Sequence, residues 1–200
     1  MKLTIRVATE ADAPFVHDVY GYYAENTNVT FTTENPDLES YREKILHTLT
    51  TYPFLICELD GKPCAFAYGG QIRPHDAYRW GVEATIYTAP DAPKRAGIGR
   101  ALYQRLLDIL THQGFKTVYG VITEGNEPSL ALHRAMGFFQ AGCFKRMGYK
   151  NGEWHGVVWM QKELGDFSGT PAEPVPFLRW LNTQEEYENG AEMAEKRLHN

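Results

Sequence analysis

Cysteine is scarce in this chain: Cys57, Cys64 and Cys143 are an odd set of three with no CxxC pair. That excludes a disulfide framework and a cysteine-based zinc site, and it suits a reducing compartment. The histidines lack HxxxH spacing, so no metal is expected. No stretch approaches the roughly 20 apolar residues of a membrane span. The N-terminal Met1–Arg6 carries no long apolar run and no signal-peptide pattern, so the expected location is the cytoplasm, without a membrane partner. Basic charge is also short. Lys+Arg number 20 against Asp+Glu 25, a net charge of −5. This argues against a nucleic-acid partner, because neutralising phosphates takes a basic face. There is no internal repeat and no low-complexity run.

What is present is the composition of a globular domain: 200 residues, 43% hydrophobic and 22% charged, enough chain to bury one core. Leu3, Ile5 and Val7 alternate as a strand. Thr9 with Asp12 resembles a capping box ahead of a helix carrying Phe15, Val16, Val19, Tyr20 and Tyr23. Asn35-Pro36-Asp37 opens a second helix with Leu38, Tyr41, Ile45 and Leu49 on one face. Phe54 to Leu59 and Cys64 to Tyr68 read as a hairpin through Asp60-Gly61, followed by a polar loop from Gly69 to Arg79. Val82 to Tyr87 is a strand with one polar face. A helix from Ile98 to Gln113 stops at Gly114, and Phe115 to Ile122 is the next strand. A helix around Pro128 ends at Gly137. Strands Phe138 to Met147 and Trp154 to Leu164 are joined at Asn151-Gly152. Beyond lies a C-terminal extension in which Thr183 to Leu198 has helical composition. Its charges suit a solvated face, or it packs on a dimer partner through Phe177, Leu178, Trp180 and Leu181. The succession predicts an α/β (α+β) domain: a mixed, mostly antiparallel sheet flanked by helices, with residues 1–164 as the domain and 165–200 as the extension.

The stretch with chemical content is Ile86-Tyr87-Thr88, then Lys94-Arg95-Ala96-Gly97-Ile98-Gly99-Arg100. A strand leads through a glycine turn into a helix. Free N–H groups at a helix start, together with Lys94, Arg95 and Arg100, suit a pyrophosphate. On its own this is also how a plain structural turn looks. It is not a Walker A loop, since no GK[ST] follows, nor a dinucleotide fingerprint, since the third glycine is missing.

In order along the chain, strand, [QR]xxGx[GA] and helix resemble the coenzyme A loop of the GNAT superfamily of N-acetyltransferases. Asn126-Glu127-Pro128-Ser129, His133 and Ala135-Met136-Gly137-Phe138 resemble that family's second cofactor helix and terminal GF. Within it, Thr30-Phe31-Thr32-Thr33-Glu34, the run Ala77 to Glu83 and the last hairpin are similar to the phosphinothricin and methionine sulfoximine acetyltransferases. Lys94 stands where the motif usually has Gln or Arg, and Gly156 where relatives often have Asp. The likeness covers roughly Leu3 to Leu164.

The resemblance implies acetyl-CoA as co-substrate and direct transfer of acetyl to the primary amine of a small amino-acid-like acceptor, in a homodimer. Glu83, on the polar face of the central strand, is the expected general base; a solvent-facing strand carboxylate would look the same. His133 shares a helix face with Asn126 and Ser129 and is the expected acid for the leaving thiolate, a structural helix histidine being the alternative. Ile86, Tyr87, Thr88, Lys94 through Arg100, Asn126 and Ser129 are the expected cofactor residues. Amides near Tyr87 and Thr88 would polarise the thioester. Phe31, Arg73, Tyr78 and Arg79 are expected to bind the acceptor, the arginines through its carboxylate or phosphinate, with Trp80 as a further wall. Two other readings stay open: acetylation of a peptide, an aminoglycoside or a polyamine, and a coenzyme A-binding module without turnover.

Overall fold

The computed structural model describes residues 1–184. One seven-stranded sheet organises them: β1 (Leu3–Val7), β2 (Phe54–Leu59), β3 (Lys62–Gln71), β4 (Gly81–Thr88), β5 (Thr117–Thr123), β6 (Phe139–Lys150) and β7 (Glu153–Glu163), in the order β1-β2-β3-β4-β5-β7-β6. Only the β4/β5 pairing is parallel, so the sheet is mixed and mostly antiparallel, as expected. Helices α1 (Ala13–Asn26) and α2 (Leu38–Thr51) cover one face. Helices α3 (Ile98–Gln113) and α4 (Glu127–Ala135) cover the other.

The two faces follow from strand alternation. Leu55, Cys57, Ala65, Ala67, Val82 and Ala84 meet Leu102, Tyr103, Leu106 and Leu110 of α3. Phe54, Ile56 and Phe66 point the other way, toward Val16, Val19, Tyr41 and Ile45. The hairpin turns adopt the left-handed geometry their residues favour, Asp60-Gly61 at φ 50 and 80 and Asn151-Gly152 at φ 51 and 80. The Asp12 carboxylate accepts from the Thr9 N–H at 2.8 Å and from Arg6 at 2.8 and 2.7 Å, pinning β1 to the start of α1.

Two expectations need correction. The loop predicted from Gly69 is strand as far as Gln71. Gly69 lies close against Tyr52, Val82 and Leu110, and Gly70 pairs with Glu83; these glycines serve close packing and not a turn. The second concerns the extension, where residues 177–184 are helical. Phe177 is not a dimer anchor: it is fully buried in this chain's own core, with Trp180 and Leu181 packed around it, and Leu178 is exposed. Apart from its first two residues, the helix expected at Thr183–Leu198 lies outside the described residues. Among the described residues no helix is long and apolar enough to cross a membrane, and no cluster of His, Cys, Asp and Glu could hold a metal ion.

Candidate active site

Strands β4 and β5 stay together only at Gly81, Val82 and Glu83, which face Thr117, Val118 and Tyr119. Beyond Glu83 they part, and β4 is left with one unpaired edge. The Ala89 N–H donates to the Cys64 carbonyl at 2.8 Å, which sets the alternation along β4. Amides of Glu83, Thr85 and Tyr87 turn toward β3, the Ala84 N–H closes the last β4/β5 bridge, and those of Ile86 and Thr88 turn into the gap. The expected pair of polarising amides, Tyr87 and Thr88, is thereby corrected: the Tyr87 N–H is used in the β3 ladder, and Ile86 takes its place.

The gap opens into a cleft of about 760 Å3, bordered by Tyr20, Tyr23, Phe31, Tyr68, Glu83, Ile86, Tyr87, Thr88, Gly99, Asn126, Ser129 and His133 among others. It passes through the sheet. Glu83 shares the α1/α2 face with Tyr87, and burial pushes its carboxyl above the ordinary value, with the charge of Lys44 pulling the other way. A carboxylate so placed is poised as a base nearer neutrality than an exposed one.

His133 approaches from the opposite face. Gly120, the β5 residue after the last paired position, leaves room for it: a Cβ there would lie 2.4 Å from His133 Nε2. The ring is 2% exposed, its Nδ1 lies 2.8 Å from the Ser129 carbonyl and its Nε2 3.0 Å from the Tyr103 hydroxyl. A carbonyl only accepts, so Nδ1 carries the proton and Nε2 accepts from Tyr103. Burial lowers the affinity of His133 for a second proton. In this arrangement the neutral imidazole holds its proton on Nδ1 and is fixed at Nε2 by the Tyr103 hydroxyl.

At the other end of the cleft, Gly97 caps α3 at φ 78 with no side-chain acceptor, and Arg95 is also left-handed at φ 62. The first intrahelical bond, from Ala101 N–H to the Gly97 carbonyl, is 2.9 Å, so the N–H groups from Gly97 through Arg100 have no helical partner. Lys94, Arg95 and Arg100 are exposed around them, and Ala96 is half-buried. The Ile98 side chain is core, so it offers only its backbone. Asn126 caps α4, its side chain accepting from the Ser129 N–H at 3.4 Å. Strand amides along the gap and an uncapped helix start beside cations suit a long ligand with amide groups in its middle and phosphates at one end.

Phe31 borders the cleft as expected, but the other expected acceptor residues do not. Arg73, Tyr78 and Trp80 line a second cavity of about 620 Å3 with Tyr119, Phe144 and Trp159. Arg79 is bound to Glu173 and Asp76 and faces a third, smaller hollow. Sequence reasoning missed Tyr68, Tyr103 and Gly120 at the site. Tyr68 reads as the end of a strand, and Tyr103 and Gly120 fall inside a helix and a strand with nothing local to mark them.

The model of the Acetyltransferase (GNAT) domain matches residues 5–159. The chain is 38% identical over 172 residues to a phosphinothricin N-acetyltransferase of Streptomyces viridochromogenes, covering 86% of this chain and 91% of that protein. It is 28% identical over 174 residues to an L-methionine sulfoximine/L-methionine sulfone acetyltransferase of Salmonella typhimurium, covering 85% and 99%. Among solved structures, it superposes with a TM-score of 0.82 and 32% identity on a GNAT superfamily phosphinothricin acetyltransferase from Sinorhizobium meliloti in complex with AcCoA, covering 88% of this chain and 96% of that one.

Proposed function

The chain belongs to the GNAT acetyltransferases and is an acetyl-CoA-dependent N-acetyltransferase, and we propose that its acceptor is the primary amine of a small amino-acid-like molecule of the phosphinothricin or methionine sulfoximine/sulfone type. The observation that carries this reading is the half-buried Glu83 carboxylate beside the free edge of β4, inside a cleft walled by aromatic rings. The names borne by the relatives support the acceptor class.

Bound acetyl-CoA supplies the acetyl group on a thioester. The N–H groups of Ile86 and Thr88 hold and orient it along the gap, those from Gly97 to Arg100 hold its phosphates, and Lys94, Arg95 and Arg100 add charge. Glu83 takes the proton from the acceptor ammonium and so makes the amine a nucleophile. No acid is required of His133, because a thiol titrates at about 8.5 and leaves readily near neutral pH. His133 instead works as a neutral imidazole whose Nε2 is held by the Tyr103 hydroxyl, which fixes the ring at the wall of the cleft. Placing amine and acetyl group together contributes much of the rate.

The protein works in the cytoplasm, where its three free thiols stay reduced, and as a homodimer. The support for the dimer is an aromatic sheet face that, among the described residues, carries no helix and is met by the loop before β4 and the start of the extension. Tyr119, Trp159 and Phe144 pack edge to face across β5, β7 and β6 at centroid spacings of 6.1 and 6.3 Å, on the side of the sheet that faces α1 and α2 further along.

A thiol-release assay with acetyl-CoA tests the reading. Phosphinothricin and methionine sulfone should be turned over, and peptides, aminoglycosides and polyamines should not. Glu83→Gln should lower kcat/KM by about 10²–10⁴-fold. In the parent enzyme kcat/KM should rise with pH as Glu83 loses its proton, at a higher pH than an exposed glutamate near 4.3 would give, and the variant should lose that limb. Turnover of peptides alone, or an undiminished Glu83→Gln enzyme, would overturn the acceptor or the base respectively.

A further inference from the structure

The loop that brings Phe31 to the cleft is not held by its own backbone. Among the described residues, no backbone-to-backbone hydrogen bond involves residues 28–34, so side chains reaching in from elsewhere fix its course. Tyr20 of α1 bonds the Thr30 and Thr32 hydroxyls at 2.9 and 2.6 Å. The ties across to the sheet come from the ends of β5 and β6. Thr123 donates to the Asn28 carbonyl at 2.7 Å, and Asn151, at the β6/β7 turn, donates to the Asn28 side chain at 2.8 Å. Lys150 Nζ donates to the Thr30 carbonyl at 2.8 Å and to the Ala24 carbonyl at 2.6 Å.

Lys150 is the unusual member of this set. It is only 5% exposed, and none of the ion pairs among the described residues involves it. A buried ammonium is costly unless its donors are used, and burial pushes this one below the ordinary lysine value. Ala24 is in the last turn of α1, where carbonyls lack helical partners and the helix dipole favours a cation. Thr30 is the residue before Phe31. One side chain thus joins the end of α1, the loop and β6 at a single point.

The seat of the Phe31 ring is on the same strand pair. Gly148 and Lys150 share a face of β6, and His155 lies opposite Gly148 across β6/β7. A Cβ at Gly148 would stand 2.3 Å from the Phe31 ring, so the ring rests on bare backbone, with the His155 ring centroid 6.1 Å from its own. His155 Nε2 donates to the Lys150 carbonyl at 3.0 Å, which ties that ring to the same residue. Along β7, His155 shares a face with Trp159. Trp159 pairs with Val121, two residues from Tyr119, which pairs with Glu83. Phe31 therefore stands on the Glu83 side of the sheet, away from the side by which His133 approaches.

We propose that Lys150 is a positioning residue of the acceptor site: by holding the Ala24 and Thr30 carbonyls it keeps Phe31 seated between Gly148 and His155, and so sets the affinity for the acceptor but not for acetyl-CoA. The proposal rests on the reading of Phe31 as an acceptor wall.

The test is a double-mutant cycle read on KM. Lys150→Met keeps the stem and removes the donors, Phe31→Ala removes the ring, and a third variant combines them. KM for methionine sulfone, KM for acetyl-CoA and kcat are measured in each. A misplacement of about 1 Å can cost on the order of 10²-fold, and Lys150→Met should raise KM for methionine sulfone by about tenfold or more. KM for acetyl-CoA should stay at the parent value, which also shows that the variant is folded. Phe31→Ala should raise the acceptor KM as well, and the double variant no further than Phe31→Ala alone, because Lys150 acts through that ring. Gly148→Ala, which puts a methyl group where the ring lies, should reproduce the acceptor effect. Should Lys150→Met fail to fold, Lys150→Gln, with N–H donors on a shorter stem, takes its place in the cycle. Additive losses would show that Lys150 works other than through Phe31, and would overturn the proposal. So would a Lys150→Met enzyme with the parent KM, or equal rises in KM for both substrates, the mark of a general loosening. An unchanged acceptor KM in Phe31→Ala would remove the ring from the acceptor site and the proposal with it. A parent enzyme that ignores methionine sulfone and acetylates a peptide would overturn the amino-acid reading alone, and the same cycle read on that peptide would decide the role of Lys150.

Discussion

Gly120 shows how much of this site depends on a single missing methyl group. The His133 ring occupies the space where a side chain on β5 would stand, with Nε2 2.4 Å from an ideal Cβ. Gly120→Ala must therefore move the imidazole, and with it the bond to Tyr103. Overpacking of this kind costs about 1–3 kcal/mol. Thermal melting should show that loss, and kcat/KM should drop about tenfold or more because His133 is displaced from the cleft. A variant with parent activity would show that the position of His133 is immaterial. The sequence made Glu83 and His133 visible through the motifs around them. Tyr103 and Gly120 were not visible, because each matters only for what it touches across the fold. Tyr103 meets a residue 30 positions away, and nothing in the helical spacing of α3 marks one core tyrosine as different from its apolar neighbours.

Most elements were legible from local pattern, since turn glycines, capping residues and apolar periodicity act within a few positions. The ends of β3 and the role of the extension were not. Gly69 and Gly70 look like turn residues until Tyr52, Val82 and Leu110 are seen packed against the first. The extension is bound to the domain at several points. Val175 donates to the Gln113 carbonyl at 2.7 Å, Trp80 Nε1 donates to the Ala172 carbonyl at 2.8 Å, and Phe177 inserts into the core under α3. Phe177→Ala should therefore destabilise by about 3–5 kcal/mol, read as a lower denaturant midpoint with an unchanged m-value. A loss below 1 kcal/mol would mean that the extension is an appendage and not part of the folding unit.

The whole molecule has one conspicuous asymmetry. Helices cover both faces of β2, β3 and β4, but among the described residues the face of β5, β7 and β6 that carries Tyr119, Trp159 and Phe144 has no helix over it. Phe139 and Phe144 are each at least half exposed on that face, and the exposed Phe167 borders it. Exposed aromatic surface of this extent favours association. Light scattering should give twice the chain mass for the parent protein. Phe144→Glu should give the single mass with an unaltered circular dichroism spectrum, and a parent protein that is already monomeric would refute the dimer.

The sequence by itself determined the order of the elements, the two-faced sheet and the glycine-led start of α3, because strand alternation, helix periodicity and left-handed turns are set by neighbours a few residues apart. Tertiary structure alone decided which amides of β4 are free, which ring nitrogen of His133 carries its proton, and which cation lies near Glu83. Arg73 and Arg79 sit nearer to Glu83 in the chain than Lys44 does. The strand and loop between them nonetheless carry them to other cavities, and α2 folds Lys44 back over Tyr68. Such partnerships are fixed by packing between distant segments, and local pattern carries no record of them.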